Sequence, residues 1–310
     1  ILALVMLHIN EPLNPMFGVS KGNGRIMILG IPMEDTLSFK PGTRFAPMAL
    51  RQVTPYLEAT PTEWFGYSPL SELNDLGDVS LHQGDVEFNL SRIRSITSEL
   101  LGKGLLINIG GEHTISLAVA RAIRDKFSEL GAFIQLDAHL DLRSEWPIGQ
   151  RLSHATFARV LNNEVKPNLY INLGFRGFDE EELNYARGLN SMLLDSVELT
   201  AVNYVQLHDM LKIINNTHGP IHLSIDVDVF DPSIAPGVGN PEAGGVNYGT
   251  IYKVLEVLMP LIAERLVAVD VVEYSPPNDV SNITASLVAK LIVDLMNLYL
   301  WYINCRQARS

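Results

Sequence analysis

Three potential metal ligands occupy alternate positions in one short run of the chain. Asp137, His139 and Asp141 follow the apolar stretch Ala132–Leu136, which is typical of a strand buried in a sheet. Alternate side chains of an extended segment point to one face, so all three could reach one cavity, although we expect the strand to break before Asp141. A solvated strand end would show the same pattern, so this run alone does not establish a metal site.

Two further predicted strands end in residues of the same kinds. His113 follows the apolar segment 104–110, and two aspartates end the segment 219–228. The full set is His113, Asp137, His139, Asp141, Asp226 and Asp228. Two imidazoles and four carboxylates are too many for one small cation and suit two cations that share bridging carboxylates. Four buried aspartates without a cation would repel one another, whereas two divalent ions balance their charge. The six together predict a two-metal site.

The donor types indicate the metal and the reaction. Carboxylates and imidazoles without cysteine favour Mn²⁺, and they do not exclude Zn²⁺, Co²⁺ or Fe²⁺. Two ions about 3.5–4 Å apart can lower the pKa of a shared water molecule until it supplies hydroxide near neutral pH. The predicted reaction class is metal-assisted hydrolysis.

Strands and helices alternate along the chain. Apolar runs predict core strands at 25–31, 104–110, 132–136, 168–174, 219–228 and 266–274, and a short strand and turn at 72–79. Helical spacing predicts helices at 48–57, 88–101, 114–127, 156–161, 202–214, 248–263 and 281–302. This alternation is typical of an α/β fold with a mainly parallel sheet covered on both faces, whose active site lies at the carboxyl ends of the strands. Asp75 and Asp78, in the 72–79 segment, are predicted to be surface or turn acids.

Length and composition limit the possible classes of protein. No linker divides the 310 residues, so we predict one domain, with residues 1–24 as an N-terminal extension and candidate oligomer contact. The net charge of −12 and the scattered basic residues argue against a nucleic-acid partner. The single cysteine, Cys305, fits a reducing compartment and predicts a cytoplasmic protein. Residues 1–7 are apolar but too few to span a membrane, and they lack a basic leader, so neither a membrane partner nor a signal peptide is predicted.

Five motifs, in this order, resemble those of the ureohydrolases, the family of arginase, agmatinase and related guanidino- and formimino-hydrolases. They are Gly-Gly-Glu-His-Thr at 110–114, Asp-Ala-His-Leu-Asp at 137–141, Ser-Ile-Asp-Val-Asp-Val-Phe-Asp-Pro-Ser at 224–233, Ala-Pro-Gly at 235–237 and Pro-Glu-Ala-Gly-Gly at 241–245. The resemblance runs from about residue 28 to residue 281, and Ile31-Pro32 together with residues 39–47 looks most like archaeal and bacterial agmatinases. It implies a three-layer α/β/α sandwich, a dinuclear manganese centre and assembly as a homo-trimer or homo-hexamer.

The resemblance also assigns the six candidate ligands to two ions. His113, Asp137, Asp141 and Asp226 correspond to the ligands of one manganese ion, and Asp137, His139, Asp226 and Asp228 correspond to those of the other. Asp137 and Asp226 are the implied bridging carboxylates.

Three residues receive catalytic roles from the resemblance. His154 corresponds to a histidine that assists proton transfer near the leaving amine, and Asp228 would steady the tetrahedral intermediate. Glu273 corresponds to the carboxylate that holds the substrate guanidinium, which can donate two parallel N–H bonds to it. From the residues alone, His154 would be interpreted as a loop histidine and Glu273 as a structural acid. Asp231 and Asp270 are expected to be supporting groups rather than ligands.

The chain departs from the family pattern near the predicted ligands. Glu112 stands where the family usually has aspartate, and Ala155 stands where it usually has glycine. Residues 142–151 lack the Asn/Thr/Ser-rich pattern with which arginases read the α-carboxylate and α-amine of arginine. Arg143 and Arg151 in that segment could still meet a carboxylate, so a guanidino acid stays among the possible substrates.

The predicted function is hydrolysis of a small cationic guanidino substrate, agmatine, to putrescine and urea. Arginase, guanidinobutyrase and aminopropylagmatine ureohydrolase are the alternative activities. Two alternatives come from other classes of protein. The whole ligand set argues against a non-catalytic relative, which would have no need for it. It also argues against a single-zinc deacetylase-like hydrolase, which would not require His113 and Asp228 as ligands.

Overall fold

One mixed sheet forms the centre of the protein. The computed structural model describes residues 8–19 and 24–307. Its strands are β1 (Ile9–Asn10), β2 (Ile26–Ile31), β3 (Leu73–Val79), β4 (Leu105–Gly110), β5 (Ala132–Leu136), β6 (Leu169–Phe175), β7 (Ser191–Asp195), β8 (Ile221–Asp226) and β9 (Leu266–Val272). Their spatial order is β1–β3–β2–β4–β9–β8–β5–β6–β7. β1 pairs antiparallel with β3, and the other pairs are parallel.

Helices cover both faces of the sheet. They are α1 (Ala46–Val53), α2 (Val86–Leu100), α3 (Ile115–Phe127), α4 (Phe157–Glu164), α5 (Glu180–Arg187), α6 (Ser196–Ala201), α7 (Tyr204–Leu211), α8 (Tyr248–Ile262) and α9 (Ile283–Gln307). Strand side chains alternate between the faces, so Ile26 and Ile28 belong to the core cluster that contains side chains of α1, α8 and α9, whereas Met27 and Leu29 belong to the cluster that contains side chains of α2, α3 and α4. The predicted α/β fold with three layers is confirmed.

The predicted helix at 202–214 is wrong in its bounds. The segment contains α7 and a 3₁₀ turn, Lys212–Asn216, and α6 ends just before it. Asn203 separates the two helices, because its backbone is extended and its side chain accepts a hydrogen bond from the N–H of Gln206 at 3.0 Å. The sequence pattern predicts neither α5 nor β7, because α5 begins with three glutamates and β7 is an edge strand that is mostly half-buried.

Asp75 is buried, so the prediction of a surface or turn acid is wrong for this residue. Alternate residues of β3 face the interior, and Asp75 is 2% exposed. Arg51 of α1 donates to both of its oxygens, from Nε to Oδ2 and from Nη2 to Oδ1, each at 2.8 Å. The N–H of Met16 donates to Oδ2 at 2.8 Å. The bidentate pair therefore ties α1 to β3, and the bond from Met16 ties the N-terminal segment to the same carboxylate.

The most apolar part of α9 is a core element. By length and composition, residues Ile283–Cys305 could cross a membrane. Of the most apolar 18-residue stretch within this range, however, 72% is buried inside the protein. Val288 and Ile292 belong to the same core cluster as Ile26 and Ile28. This helix therefore closes one face of the sheet.

The predicted N-terminal extension is described only in part. Residues 1–7 and 20–23 lie outside the described residues. Ile9–Asn10 adds a short edge strand to β3. An oligomer contact in this extension stays a prediction.

Arg51→Met should lower the free energy of unfolding by about 3–5 kcal/mol, because it leaves the buried carboxylate of Asp75 without its countercharge. Denaturant unfolding followed by circular dichroism measures the change. Arg94→Met is the matched control, since Arg94 and Asp125 form an exposed pair, and it should cost about 1 kcal/mol or less. Similar losses in both variants would show that burial does not govern the strength of the Arg51 pair.

Candidate metal centre and substrate cavity

The candidate ligands meet where four neighbouring strands end. β4, β9, β8 and β5 are adjacent in the sheet and run parallel. His113 follows β4, Asp137 follows β5, Asp226 ends β8 and Glu273 follows β9. Parallel strands bring their carboxyl ends to one edge, so residues separated by up to 160 positions become neighbours.

The first ligand group surrounds the Nδ1 atom of His113. This atom lies 3.1 Å from Oδ2 of Asp137 and 3.2 Å from Oδ2 of both Asp141 and Asp226. The Nδ1 atom is buried and forms no hydrogen bond within the described residues. Three carboxylate oxygens around an unbonded imidazole nitrogen suit a divalent cation.

The second ligand group contains His139 and Asp228. The Nδ1 atom of His139 lies 3.0 Å from Oδ2 of Asp228 and 3.7 Å from Oδ1 of Asp137. Asp137 therefore presents one oxygen to each group, as a bridging carboxylate must. Asp226 differs, because its Oδ2 faces the first group while its Oδ1 accepts the N–H of Asp228 at 2.8 Å. The structure places all six predicted ligands together.

Electrostatics explain why this arrangement suits cations. Burial and the charges of Asp228 and Asp137 raise the pKa of Asp226 well above its ordinary range. Burial and the charge of Asp137 raise the pKa of Asp141 to about 7. Burial lowers the pKa of His113, but the three carboxylates around its Nδ1 atom, from Asp137, Asp141 and Asp226, outweigh burial and raise it well above its ordinary value. The cluster thus favours any positive charge placed among its oxygens.

A buried chain of hydrogen bonds fixes the imidazole of His113. Its Nε2 lies 2.8 Å from the hydroxyl of Ser224, which is 3.1 Å from the hydroxyl of Ser116. Ser116 donates to Asp270 at 2.6 Å, and His222 lies 2.7 Å from the same carboxylate. Groups beyond the ligands commonly set the ring orientation of metal-binding histidines in this way.

Asp270 and Asp231 lie outside both ligand groups. Asp270 contacts Ser116 and His222 rather than the clustered oxygens. Asp231 is partly exposed and accepts the N–H groups of Ser233, Gly244 and Gly245. It therefore stabilises a turn.

A cavity of about 280 Å³ opens onto the ligand groups. His154 and Glu273 line it together with His139, Asp141, Asp226 and Asp228. Oε1 of Glu273 accepts the N–H of His113 at 2.8 Å, and it lies 3.7 Å from Nδ1 of His154. The two residues with predicted roles in catalysis and guanidinium binding therefore share one space with the candidate ligands.

Two side chains of this cavity come from strained backbone. Asp141 has a φ of 54° and Glu273 a φ of 65°, values that cost a residue with a Cβ about 1–3 kcal/mol each. The N–H of Glu273 donates to the carbonyl of Gly111 at 2.9 Å, which holds that turn. Such strain clusters at functional sites, where the surrounding structure holds it in place.

The loop after β2 positions His154. The sequence pattern predicts His154 as a site residue but does not predict its contacts with this loop. The hydroxyl of Ser38 lies 2.9 Å from Nε2 of His154, and the hydroxyl of Thr36 accepts its main-chain N–H at 3.0 Å. The carboxylate of Glu112 accepts the N–H groups of Thr36 and Asp35, and burial raises the pKa of Glu112 to about 7. The only sequence features that indicated a functional role for this loop were its length and its composition. Glu112 therefore acts through the loop and lies outside the ligand groups.

The model of the Arginase family matches residues 24–297 of this chain. The agmatinase of Bacillus anthracis is 32% identical over 283 residues, which cover 87% of this chain and 90% of that protein. The guanidinobutyrase of Pseudomonas aeruginosa is 31% identical over 285 residues, which cover 86% of this chain and 84% of that protein.

A solved structure shows the same architecture. The proclavaminate amidino hydrolase of Streptomyces clavuligerus superposes with a TM-score of 0.84 at 25% identity, covering 94% of this chain and 98% of that chain. Enzymes of the arginase family are binuclear metal enzymes, and the two ligand groups supply the donors that such a centre needs. This chain therefore belongs to the arginase family and is a ureohydrolase, a hydrolase that acts on guanidino C–N bonds.

Proposed function

We propose that this ureohydrolase hydrolyses agmatine to putrescine and urea. The observation that supports it most directly is the common cavity of Glu273, His154 and the two ligand groups. A cationic guanidinium suits a cavity lined by carboxylates. The agmatinase among the relatives supports agmatine as the substrate.

We propose that two ions bind at the two ligand groups, and the second role of Asp226, as a bridging ligand, rests on the motif resemblance, because only its Oδ2 faces a ligand group. His113, Asp137, Asp141 and Asp226 would hold one ion, and Asp137, His139, Asp226 and Asp228 would hold the other. The mixture of carboxylates and imidazoles favours manganese. Bound there, the ions would polarise the guanidinium and lower the pKa of a water molecule.

Glu273 would orient the substrate. Its Oε1 already accepts the N–H of His113, so the carboxylate stands in a fixed direction, and Oε2 has no hydrogen bond among the described residues. A planar guanidinium can donate N–H bonds to a carboxylate held in this way. Binding at Glu273 would place the guanidinium carbon in the cavity that the ligand groups line.

His154 would move the proton that the leaving amine needs. Burial, together with the charges of His139 and His113, lowers the pKa of His154 to about 4, so its imidazole is neutral near pH 7. A neutral imidazole can accept a proton released in the reaction and pass it to the departing nitrogen. The hydroxyl of Ser38 holds Nε2, which fixes the ring for this transfer.

Asp228 would steady the tetrahedral intermediate. Its Oδ1 accepts the N–H of Ala138 at 3.0 Å, and its carboxylate lines the cavity. The amino groups of the intermediate are N–H donors, so a fixed carboxylate can bind them as the carbon becomes tetrahedral.

The remaining proposals concern the whole protein. We infer one domain, a homo-trimer or homo-hexamer, a cytoplasmic location and no nucleic-acid or membrane partner. The motif resemblance supports the assembly, and the single cysteine supports the compartment.

With Mn²⁺ present, urea release should be faster from agmatine than from arginine, guanidinobutyrate or aminopropylagmatine. The measurement is kcat/KM for each compound at one pH. A higher value for arginine would contradict agmatine as the principal substrate, while urea release from any of the four would agree with the family assignment.

Asp226→Asn should reduce both bound metal and urea release, because it removes charge from an oxygen 3.2 Å from Nδ1 of His113. Metal content by mass spectrometry is the first measurement. In the unsubstituted protein, Mn²⁺ at about 100 times its dissociation constant should add about 2.7 kcal/mol to the free energy of unfolding. Asp125→Asn on the surface is the control and should behave like the unsubstituted protein. Full metal content in Asp226→Asn would contradict the proposed ligand set.

Glu273→Gln should lower kcat/KM for agmatine by about 10- to 100-fold, since a neutral amide loses the charge-assisted bonds to the guanidinium. Glutamine can still accept the N–H of His113, so metal content should be retained. Glu164→Gln, at an exposed ion pair with Arg121, is the control. Unchanged kcat/KM in Glu273→Gln would remove Glu273 from the binding site.

A further inference from the structure

Arg143 brings a positive charge into a cavity otherwise rich in carboxylates. Of the two arginines that residues 142–151 offer, Arg143 lines the cavity, whereas Arg151 is exposed and is not among the lining residues. The guanidinium of Arg143 therefore belongs to the same space as Glu273 and the ligand groups.

Three side chains hold Arg143 in place. Its Cζ lies 4.5 Å from the ring centroid of Trp146, which also lines the cavity. Nη1 is 3.3 Å from Oδ2 of Asp179, and Nε is 3.6 Å from Oε2 of Glu182. Stacking on an indole and two nearby carboxylates restrict the side chain without enclosing it, since 31% of it stays exposed.

The N–H groups of this guanidinium are available to a ligand. Within the described residues none of them forms a hydrogen bond, although two carboxylates are close. Glu182 is engaged elsewhere, because its two oxygens accept the N–H groups of Leu142 and Asp179. Asp179 is engaged in part, because its Oδ1 accepts the N–H of Glu182 while its Oδ2 faces Nη1 of Arg143. The capping box of α5 thus uses the Glu182 oxygen that lies nearest to Nε of Arg143, and Oδ2 of Asp179 stays the ion-pair partner of Nη1.

We propose that Arg143 determines substrate specificity by binding a carboxylate at the far end of the substrate. The enzyme would then hydrolyse ω-guanidino acids in addition to agmatine. A stacked guanidinium with free N–H donors matches a carboxylate in shape and charge, whereas it repels an ammonium group. The inference rests on the guanidino-hydrolase activity and on Glu273 as the guanidinium site, and it does not require agmatine to be the principal substrate.

Asp179 and Glu182 do not reverse this preference. If an ammonium group bound to them, it would have to displace Arg143 or lie beside it. In both cases Arg143 disfavours the cationic tail, so removing its charge should favour agmatine relative to a guanidino acid.

The test compares two substrates of opposite tail charge. The ratio of kcat/KM for 4-guanidinobutyrate to kcat/KM for agmatine is measured in the unsubstituted enzyme and in Arg143→Gln. We expect the ratio to fall by about 10- to 100-fold, the loss expected for a charge-assisted hydrogen bond. Arg143→Lys keeps the charge without the planar fork and should recover part of the ratio. Arg94→Gln, an exposed arginine paired with Asp125, is the matched control and should keep the original ratio.

Three results would overturn the proposal. They are an unchanged ratio in Arg143→Gln, an equal fall in Arg94→Gln, and no urea from 4-guanidinobutyrate in an enzyme that hydrolyses agmatine. Urea from 4-guanidinobutyrate but not from agmatine would refute agmatine as the substrate and support Arg143. If neither compound is hydrolysed, calorimetry measures the binding of 4-guanidinobutyrate instead. The proposal requires that this compound binds and that Arg143→Gln weakens its binding.

Discussion

Repulsion among buried carboxylates is the constraint on which the site depends. Asp137, Asp141, Asp226 and Asp228 are each at most 7% exposed and lie around two imidazoles. Such a cluster is stable only when positive charge or protons compensate it. The parallel sheet places the four groups at the ends of neighbouring strands, where cations can enter from the cavity. The same arrangement of strands therefore creates both the repulsion among the carboxylates and the candidate metal site that relieves it.

Residues outside the ligand groups and without a proposed catalytic role keep these side chains in place. Ser224, Ser116 and Asp270 connect the ring of His113 to the interior of the sheet. Glu273 keeps a left-handed backbone because the turn after β9 is bonded to Gly111. A ring or carboxylate fixed before the substrate arrives needs little rearrangement during the reaction.

The two ends of the cavity differ in how they are built. The end lined by Glu273, which we propose to bind the guanidinium, is formed by residues at the ends of strands, which the sheet holds rigidly. The end that we propose for the substrate's tail is lined by Arg143 and Trp146, which stack on each other, and by Glu182 of α5. Loops accept substitution more easily than core strands.

The sequence by itself determined the fold class and the six candidate ligands, because apolar strands followed by Asp and His form a local pattern. It also indicated the family through motifs in a fixed order. Only the tertiary structure decided that Asp75 is buried against Arg51, that Ser38 holds His154 and that Arg143, not Arg151, lines the cavity. These facts depend on contacts between distant segments, and side-chain direction in a loop or at a sheet edge has no periodic signature in the sequence. The proposed site for the substrate's tail lies in such a loop, so the identity of the tail was the part that the sequence left open.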